Sequence, residues 1–305
     1  MRLPERVTIR EVGPRDGLQN EDPVPTEGKV ALIDALSGTG LQRIEAVSFV
    51  HPRAIPAMGD ATEVWKRISK DPDIDYSALV PNLTGAERAL DAGVRSLEVV
   101  VSASDRHNRA NLNRSTEESL AGLAPIVTLV HARGATCQVV VATAWGCPYD
   151  GDILLEQVLS VARAAVAAGA DSLAYGDTTG MATPTRVERL VEATRATLPD
   201  TPLALHFHNT RGTGLANVLA ALQIGVTEFD ASVGGLGGCP YAPGASGNIA
   251  TEELVHMLAD MGVETGVDLD RLLDVAAQAE RLVGRQLPSQ VLRAGPRSRT
   301  VPAAR

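Results

Sequence analysis

His206 and His208 flank Phe207 in the run LALHFHNT. Residues two apart on a strand face the same side, so both imidazoles would be presented together. The pair reads either as a metal site or as two ordinary polar residues at a strand end. Arg15 and Asp16, in the turn GPRDG, put a cation and a carboxylate side by side; the plain alternative is a surface turn with an ion pair. Glu45 sits among Ile44, Ala46 and Val47, where a carboxylate needs a partner to offset desolvation, and Arg15 is the candidate. Asp177 in YGDTTG is a further polar residue, or a cap for the helix that follows. Asn248 closes a glycine-rich run and could cap a helix starting near Thr251 or offer a carbonyl oxygen to a metal. Taken together, His, His, Asp and Asn form a mixed nitrogen and oxygen set that favours Mg2+ or Mn2+ over structural zinc.

Such residues act together only if the chain brings distant segments to one place. A repeated unit suggests how it does. Gly40-Leu41, Gly93-Val94, Gly169-Ala170 and Gly225-Val226 each close a helical stretch and open an apolar one. Glycine suits the left-handed residue that ends a helix, and the run after it suits a buried parallel strand. The fifth position after the glycine is Glu45, Glu98, Ala174 and Asp230 in turn. Between these runs, Leu154, Val158, Val161 and Ala165 keep helical period, as do Val187, Leu190, Val191 and Thr194 after Thr183-Pro184.

Strands are expected near 7–12, 41–48, 74–80, 94–101, 136–143, 171–176, 202–208 and 226–232. Eight strands with helices between them predict an α/β protein, a (β/α)8 TIM barrel with a short C-terminal helical extension. A doubly wound open sheet is the alternative, because periodicity does not show closure. One catalytic barrel domain is expected over 1–290, with 291–305 as a mobile tail. In a barrel the site forms at the carboxyl ends of the strands, which is where the histidines, the GPRDG turn and the run 234–248 fall.

Composition narrows the function classes. The 305 residues are 44% hydrophobic, 21% charged and 3% aromatic, which describes a globular chain with a core of Ala, Val and Leu. A net charge of −9 argues against nucleic acid or an anionic membrane as partner, since both need a basic surface. No apolar run has the length of a signal peptide core or a membrane span, and a cytoplasmic enzyme is expected. Three scattered cysteines, Cys137, Cys147 and Cys239, make no disulfide framework. Cys137 reads as core; Cys147 is open.

At this point the motifs resemble the 3-hydroxy-3-methylglutaryl-CoA lyase family. They are EVGPRDGLQNE, VSFVHPRAIPAMGD, PNLTG, GCPYDG, GDTTG, HFHNT and GLGGCPYAPGASGNIATEEL, and the similarity runs from about residue 5 to 290. The cysteine in the last motif separates these lyases from related barrel enzymes that run Claisen condensations. The resemblance implies a metal held by Asp16, His206, His208 and Asn248. It places Arg15, Glu45, Asp177 and Cys239 around an acyl-CoA substrate, and it allows a homodimer. The sequence departs from the family after the histidines, where Asn209, Arg211 and Thr213 stand in a segment that usually reads like HDTYGQ. His51 replaces a small residue, and His107 an aromatic one.

The chemistry expected is retro-Claisen cleavage of a 3-hydroxyacyl-CoA. Asp16 or His206 would act as base toward the 3-hydroxyl, Arg15 held by Glu45 would stabilise the enolate, and Cys239 on a closing loop would protonate it. Arg211 could meet a substrate carboxylate or a CoA phosphate, or equally pair with a surface acid. Two rivals remain: an acyltransferase of the isopropylmalate or citramalate synthase type, and a barrel that has lost its chemistry.

Overall fold

The structure, a computed structural model, describes residues 3–237 and 247–300. Its strands are β1 Thr8–Glu11, β2 Arg43–Ser48, β3 Asp75–Leu79, β4 Ser96–Ser102, β5 Thr136–Ala142, β6 Ser172–Asp177, β7 Leu203–Phe207 and β8 Glu228–Ala231. Each lies within two residues of its expected bounds. All pair in parallel, and β1 pairs with β8, from Thr8 opposite Glu228 to Glu11 opposite Ala231, so the sheet closes. That pairing removes the open-sheet alternative and identifies the (β/α)8 barrel.

The helix-to-strand turns follow the glycines. Gly40, Gly93, Gly169 and Gly225 all have positive φ, between 80° and 98°. At three of them the next residue donates back into the helix just ended: Val94 N to Ala89 O, Ala170 N to Ala165 O and Val226 N to Ala221 O, each at 3.0–3.1 Å. This six-residue closure satisfies a helix-end carbonyl and turns the chain onto the next strand. The helix Pro184–Thr197 buries Val187, Leu190, Val191 and Thr194 as expected, although the Thr183 side chain makes no capping hydrogen bond. In the helix Leu155–Ala167 the apolar stripe starts later than periodicity suggests: Leu154 is the residue before the first turn and is 67% exposed.

The apolar core lies between the sheet and the helices and includes Leu32, Ile33, Leu36, Ile44 and Leu97, all buried. The barrel interior is different. Glu45, Glu98 and Asp230, the acids at the repeated fifth position, are all buried, as is Arg10. After β8, the helices Thr251–Asp260, Leu269–Val283 and Gln290–Ala294 complete the described chain. Of the expected tail, Gln290–Ala294 supplies a short helix and Arg297 Nε donates to Asp260 at 2.8 Å. Residues 301–305 lie outside the described residues.

Candidate active site

The chain leaves β1 through a wide π-helical turn, Gly13–Gly17, wound around one carbonyl. Val12 O accepts from Arg15 N, Asp16 N and Gly17 N at 3.2, 2.7 and 3.2 Å. Pro14 supplies the fixed φ of a first-turn residue and needs no acceptor. This turn projects Arg15 and Asp16 over the carboxyl end of the barrel. Arg15 then bridges two carboxylates, with Nε 2.6 Å from Glu45 Oε1 and Nη1 2.7 Å from Asp16 Oδ1. The partner expected for Glu45 is therefore the one it has.

His206, the last but one residue of β7, and His208 just beyond it do face one another, with Nε2 atoms 3.1 Å apart. One ligand atom from each of Asp16, His206 and His208 fits within 4.8 Å of the others. Asn248 joins them: Nδ2 donates to Asp16 Oδ2 at 2.8 Å and to Leu236 O at 2.9 Å. Capping the helix at Thr251 is not its role, since Ala250 occupies that position. Gly237 makes room for this contact. At φ +108° it sits where any Cβ would lie 2.6 Å from Asn248 Nδ2.

The residues fit a hard divalent cation on three counts. Both Nδ2 partners of Asn248 are acceptors, which fixes the amide orientation and leaves Oδ1 buried without a hydrogen-bond donor; such an atom costs about 1–3 kcal/mol unless something positive meets it. Two ring nitrogens 3.1 Å apart also need a proton or a cation between or beside them. Finally, the cluster sets two arginines, Arg10 and Arg15, against four carboxylates, Asp16, Glu45, Glu98 and Asp230. Formally the carboxylates outnumber the arginines by two, an excess that a cation, or protons on Glu45 and His206, would offset where burial disfavours charge.

Electrostatics divide the titratable groups. Burial would raise Asp16, but Arg15, the two histidines and the Asn248 amide hold it below the usual carboxylate range. Burial beside His206 pushes His208 down to about 3, so it is a neutral imidazole. His206 goes the other way: burial opposes its charged form, yet Asp230 and Asp16 raise it. Glu45 is raised, chiefly by burial and with Glu98 adding to it, against the pull of Arg15.

Asp177 ends β6 nearby. Its Oδ1 accepts from Met181 N at 2.7 Å and Ala182 N at 3.0 Å, while Oδ2 is buried with no hydrogen-bond partner. Burial lifts this carboxyl to about 6. One oxygen thus shapes the β6 loop and the other is uncommitted. Arg211 Nη1 donates to Thr179 O and Gly180 O, and Thr213 Oγ1 to Ala182 O, so two of the departing residues tie the β7 loop to the β6 loop. Asn209 Oδ1 accepts from Gly214 N within its own loop. His51 is exposed, with Nδ1 accepting from Arg53 N. His107 is buried in the helix after β4, and burial lowers it to about 4.

Cys137 is core, its thiol pushed up to about 12 by burial. Cys147 is buried too, its Sγ 3.0 Å from Ser104 Oγ. Cys239 lies outside the described residues.

The sequence reading passed over the groups beneath the cluster. Arg10 forks onto Asp230 and reaches Glu98 and Gln138, both at 2.7 Å. Glu98 and Asp230 occupy the same repeat position as Glu45, a signal that could have placed them inside the barrel. Glu11 was also missed. Its Oε1 accepts from Gly13 N at 2.7 Å and Val233 N at 2.8 Å, and its Oε2 from Thr251 Oγ1 at 2.6 Å. One buried carboxyl thereby ties the turn carrying Arg15 and Asp16 to the chain on both sides of Asn248.

Burial pushes Glu11 from 4.5 to about 7, against those three donors. Between roughly pH 4.5 and 7 an unfolded chain gives up a proton that the folded one keeps, so this residue's contribution to stability falls as pH rises. The full cost, on the order of 3 kcal/mol, is present above pH 7. Urea unfolding at pH 5 and pH 8 should therefore show wild type losing stability relative to Glu11→Gln as pH rises. An unchanged difference between the two pH values would mean that Glu11 is ionised throughout.

Comparison with known proteins places the chain in a family. The family model described as HMGL-like matches residues 6–278. Hydroxymethylglutaryl-CoA lyase YngG of Bacillus subtilis (strain 168) is 49% identical over 293 residues, covering 96% of this chain and 98% of the relative. (R)-citramalyl-CoA lyase of Chloroflexus aurantiacus is 43% identical over 303 residues, covering 96% of both. Among solved structures, an HMG-CoA lyase from Acinetobacter baumannii in complex with coenzyme A and 3-methylmalate is 45% identical. It superposes with a TM-score of 0.94 over 98% of each chain. With a match that takes in all eight strands and the segments bearing Asp16, His206 and Asn248, this chain belongs to the HMGL-like family.

Proposed function

We propose that the protein is a carbon–carbon lyase that cleaves 3-hydroxy-3-methylglutaryl-CoA to acetyl-CoA and acetoacetate. The observation that carries the reading is the convergence of Asp16, His206 and His208 beside Arg15, in a chain so similar to lyases of this name. Asp16, His206, His208 and Asn248 would hold the cation, Mg2+ or Mn2+. When bound, the cation polarises substrate oxygens and makes a hydroxyl easier to deprotonate.

The chain's own groups do the rest. The 3-hydroxyl proton needs a base within hydrogen-bond reach; of the two sequence candidates Asp16 is the one proposed, because His206 has one nitrogen on Asp230 and the other facing the cluster. As that proton leaves, C3 becomes a carbonyl and the C2–C3 bond breaks, its electron pair passing to C2 and the thioester oxygen. Arg15, oriented by Glu45, supplies the fixed positive charge facing that enolate. Cys239, in the glycine-rich run 234–248, is the proposed donor of the proton that completes acetyl-CoA. Asp177, through its uncommitted oxygen, and Arg211 are the proposed groups on the β6 and β7 loops that border the acyl chain.

A second substrate merits an arm of the test because a citramalyl-CoA lyase is nearly as similar as the methylglutaryl enzymes. Purified protein is assayed for acetyl-CoA release from each thioester with Mg2+, Mn2+ or chelator, beside His208→Ala and Cys239→Ala. Metal-dependent release from the methylglutaryl thioester, lost in His208→Ala, is the expected result. Release only from citramalyl-CoA would replace the substrate and leave the mechanism standing. Free CoA formed from acetyl-CoA and a 2-oxo acid would instead make the protein a synthase.

A further inference from the structure

We infer that Asp230, clamped by Arg10, is a positioning residue that sets the tautomer and direction of His206. Its consequence for metal affinity rests on the reading of Asp16, His206 and His208 as a metal centre.

Three adjacent strands bring the residues into line. His206 on β7 is in register with Asp230 on β8, which is in register with Arg10 on β1. Arg10 grips both oxygens of Asp230, Nε to Oδ1 at 2.9 Å and Nη2 to Oδ2 at 2.7 Å. Arg10 is itself rooted on Glu98 and Gln138, so the clamp reaches across the barrel to β4 and β5. A carboxylate held by a fork in this way offers only acceptors. His206 Nδ1, 3.1 Å from Asp230 Oδ2, is therefore the donor. A neutral imidazole with its proton on Nδ1 presents a lone pair at Nε2, and this is the nitrogen that faces His208.

Stability alone would be served by the Arg10–Asp230 pair. Its placement one strand from His206, with a third contact to the ring, adds a function: it spares His206 from choosing between tautomers, one of which would turn an N–H toward the cluster. Carboxylates behind metal-bound histidines commonly act in this way.

The test has two readouts. In metal-free wild-type protein, long-range 1H–15N correlation spectra should find the proton of neutral His206 on Nδ1. A proton on Nε2 overturns the inference, and this readout needs no variant. Second, Mn2+ binding is titrated by electron paramagnetic resonance in wild type, Asp230→Asn and Arg10→Lys. Asp230→Asn should weaken Mn2+ binding about 10–100-fold and introduce the Nε2–H tautomer. Arg10→Lys, which keeps one donor to Asp230, should weaken it less. Unchanged Mn2+ affinity and tautomer in folded Asp230→Asn overturn the assignment. Failure of the wild type itself to bind Mn2+ would instead remove the metal-centre reading, and the tautomer spectrum would still decide whether Asp230 sets His206.

Discussion

Asp16→Asn is expected to lower kcat by about 10²–10⁴-fold, the range associated with losing a positioned proton-transfer group, and to weaken Mn2+ binding as well. Both oxygens of Asp16 act only as acceptors. Oδ1 receives Arg15 Nη1 at 2.7 Å and Gln19 Nε2 at 3.0 Å, and Oδ2 receives Asn248 Nδ2 at 2.8 Å. An amide has one NH2, and whichever way it turns that group meets a donor. With the NH2 toward Asn248, the Asn248 side chain is pushed off its place; with the NH2 toward Arg15, the guanidinium loses the contact that aims it. The negative charge is lost in either case, which removes the ion pair with Arg15. Steady-state kinetics and Mn2+ titration together check this. A variant with kcat within tenfold of wild type and unchanged Mn2+ affinity would show that Asp16 only shapes the turn.

The sequence was most informative where a residue's type and its place in the repeat pointed the same way. Eight strands could be counted because parallel strands buried on both faces read as apolar runs, and because positive-φ glycines mark the helix ends before them. His206 and His208 were legible from their spacing, and Glu45 from the mismatch between its charge and its neighbours. Closure of the sheet was not legible in periodicity, since it depends on β1 meeting β8 across more than two hundred residues. The Arg10–Asp230–His206 line was hidden for the same reason: it is a register across three strands, and a strand's own sequence does not state its register. Glu11 looked like an ordinary strand residue, and its three donors come from segments up to 240 residues away. From the sequence Arg211 is a cation that could meet a substrate carboxylate, a CoA phosphate or a surface acid, and the loop carbonyls it also meets are invisible there. In the fold one of its nitrogens is committed to Thr179 O and Gly180 O.

Arg15→Gln should lower kcat about 10²–10³-fold, as removing one preorganised donor to a developing oxyanion does, with KM changing only a few-fold. The asymmetry follows from when the charge is needed: the thioester is neutral when it binds and carries an enolate only as the bond breaks. The substitution also strands Glu45, which is fully buried and loses the cation 2.6 Å away. A buried charge left alone costs about 3–5 kcal/mol. Glu45 can escape part of that by taking up a proton, because burial already raises it. Loss of fold could thus be mistaken for loss of chemistry, and a second substitution separates them. Arg15→Gln combined with Glu45→Gln removes the stranded carboxyl, so thermal stability should recover while kcat stays low. Recovery of kcat along with stability would show that Arg15 acts only by neutralising Glu45. Arg15→Lys sharpens the point further. It restores charge but cannot span Glu45 and Asp16 with a rigid fork, so it should regain stability and only a small part of the lost turnover.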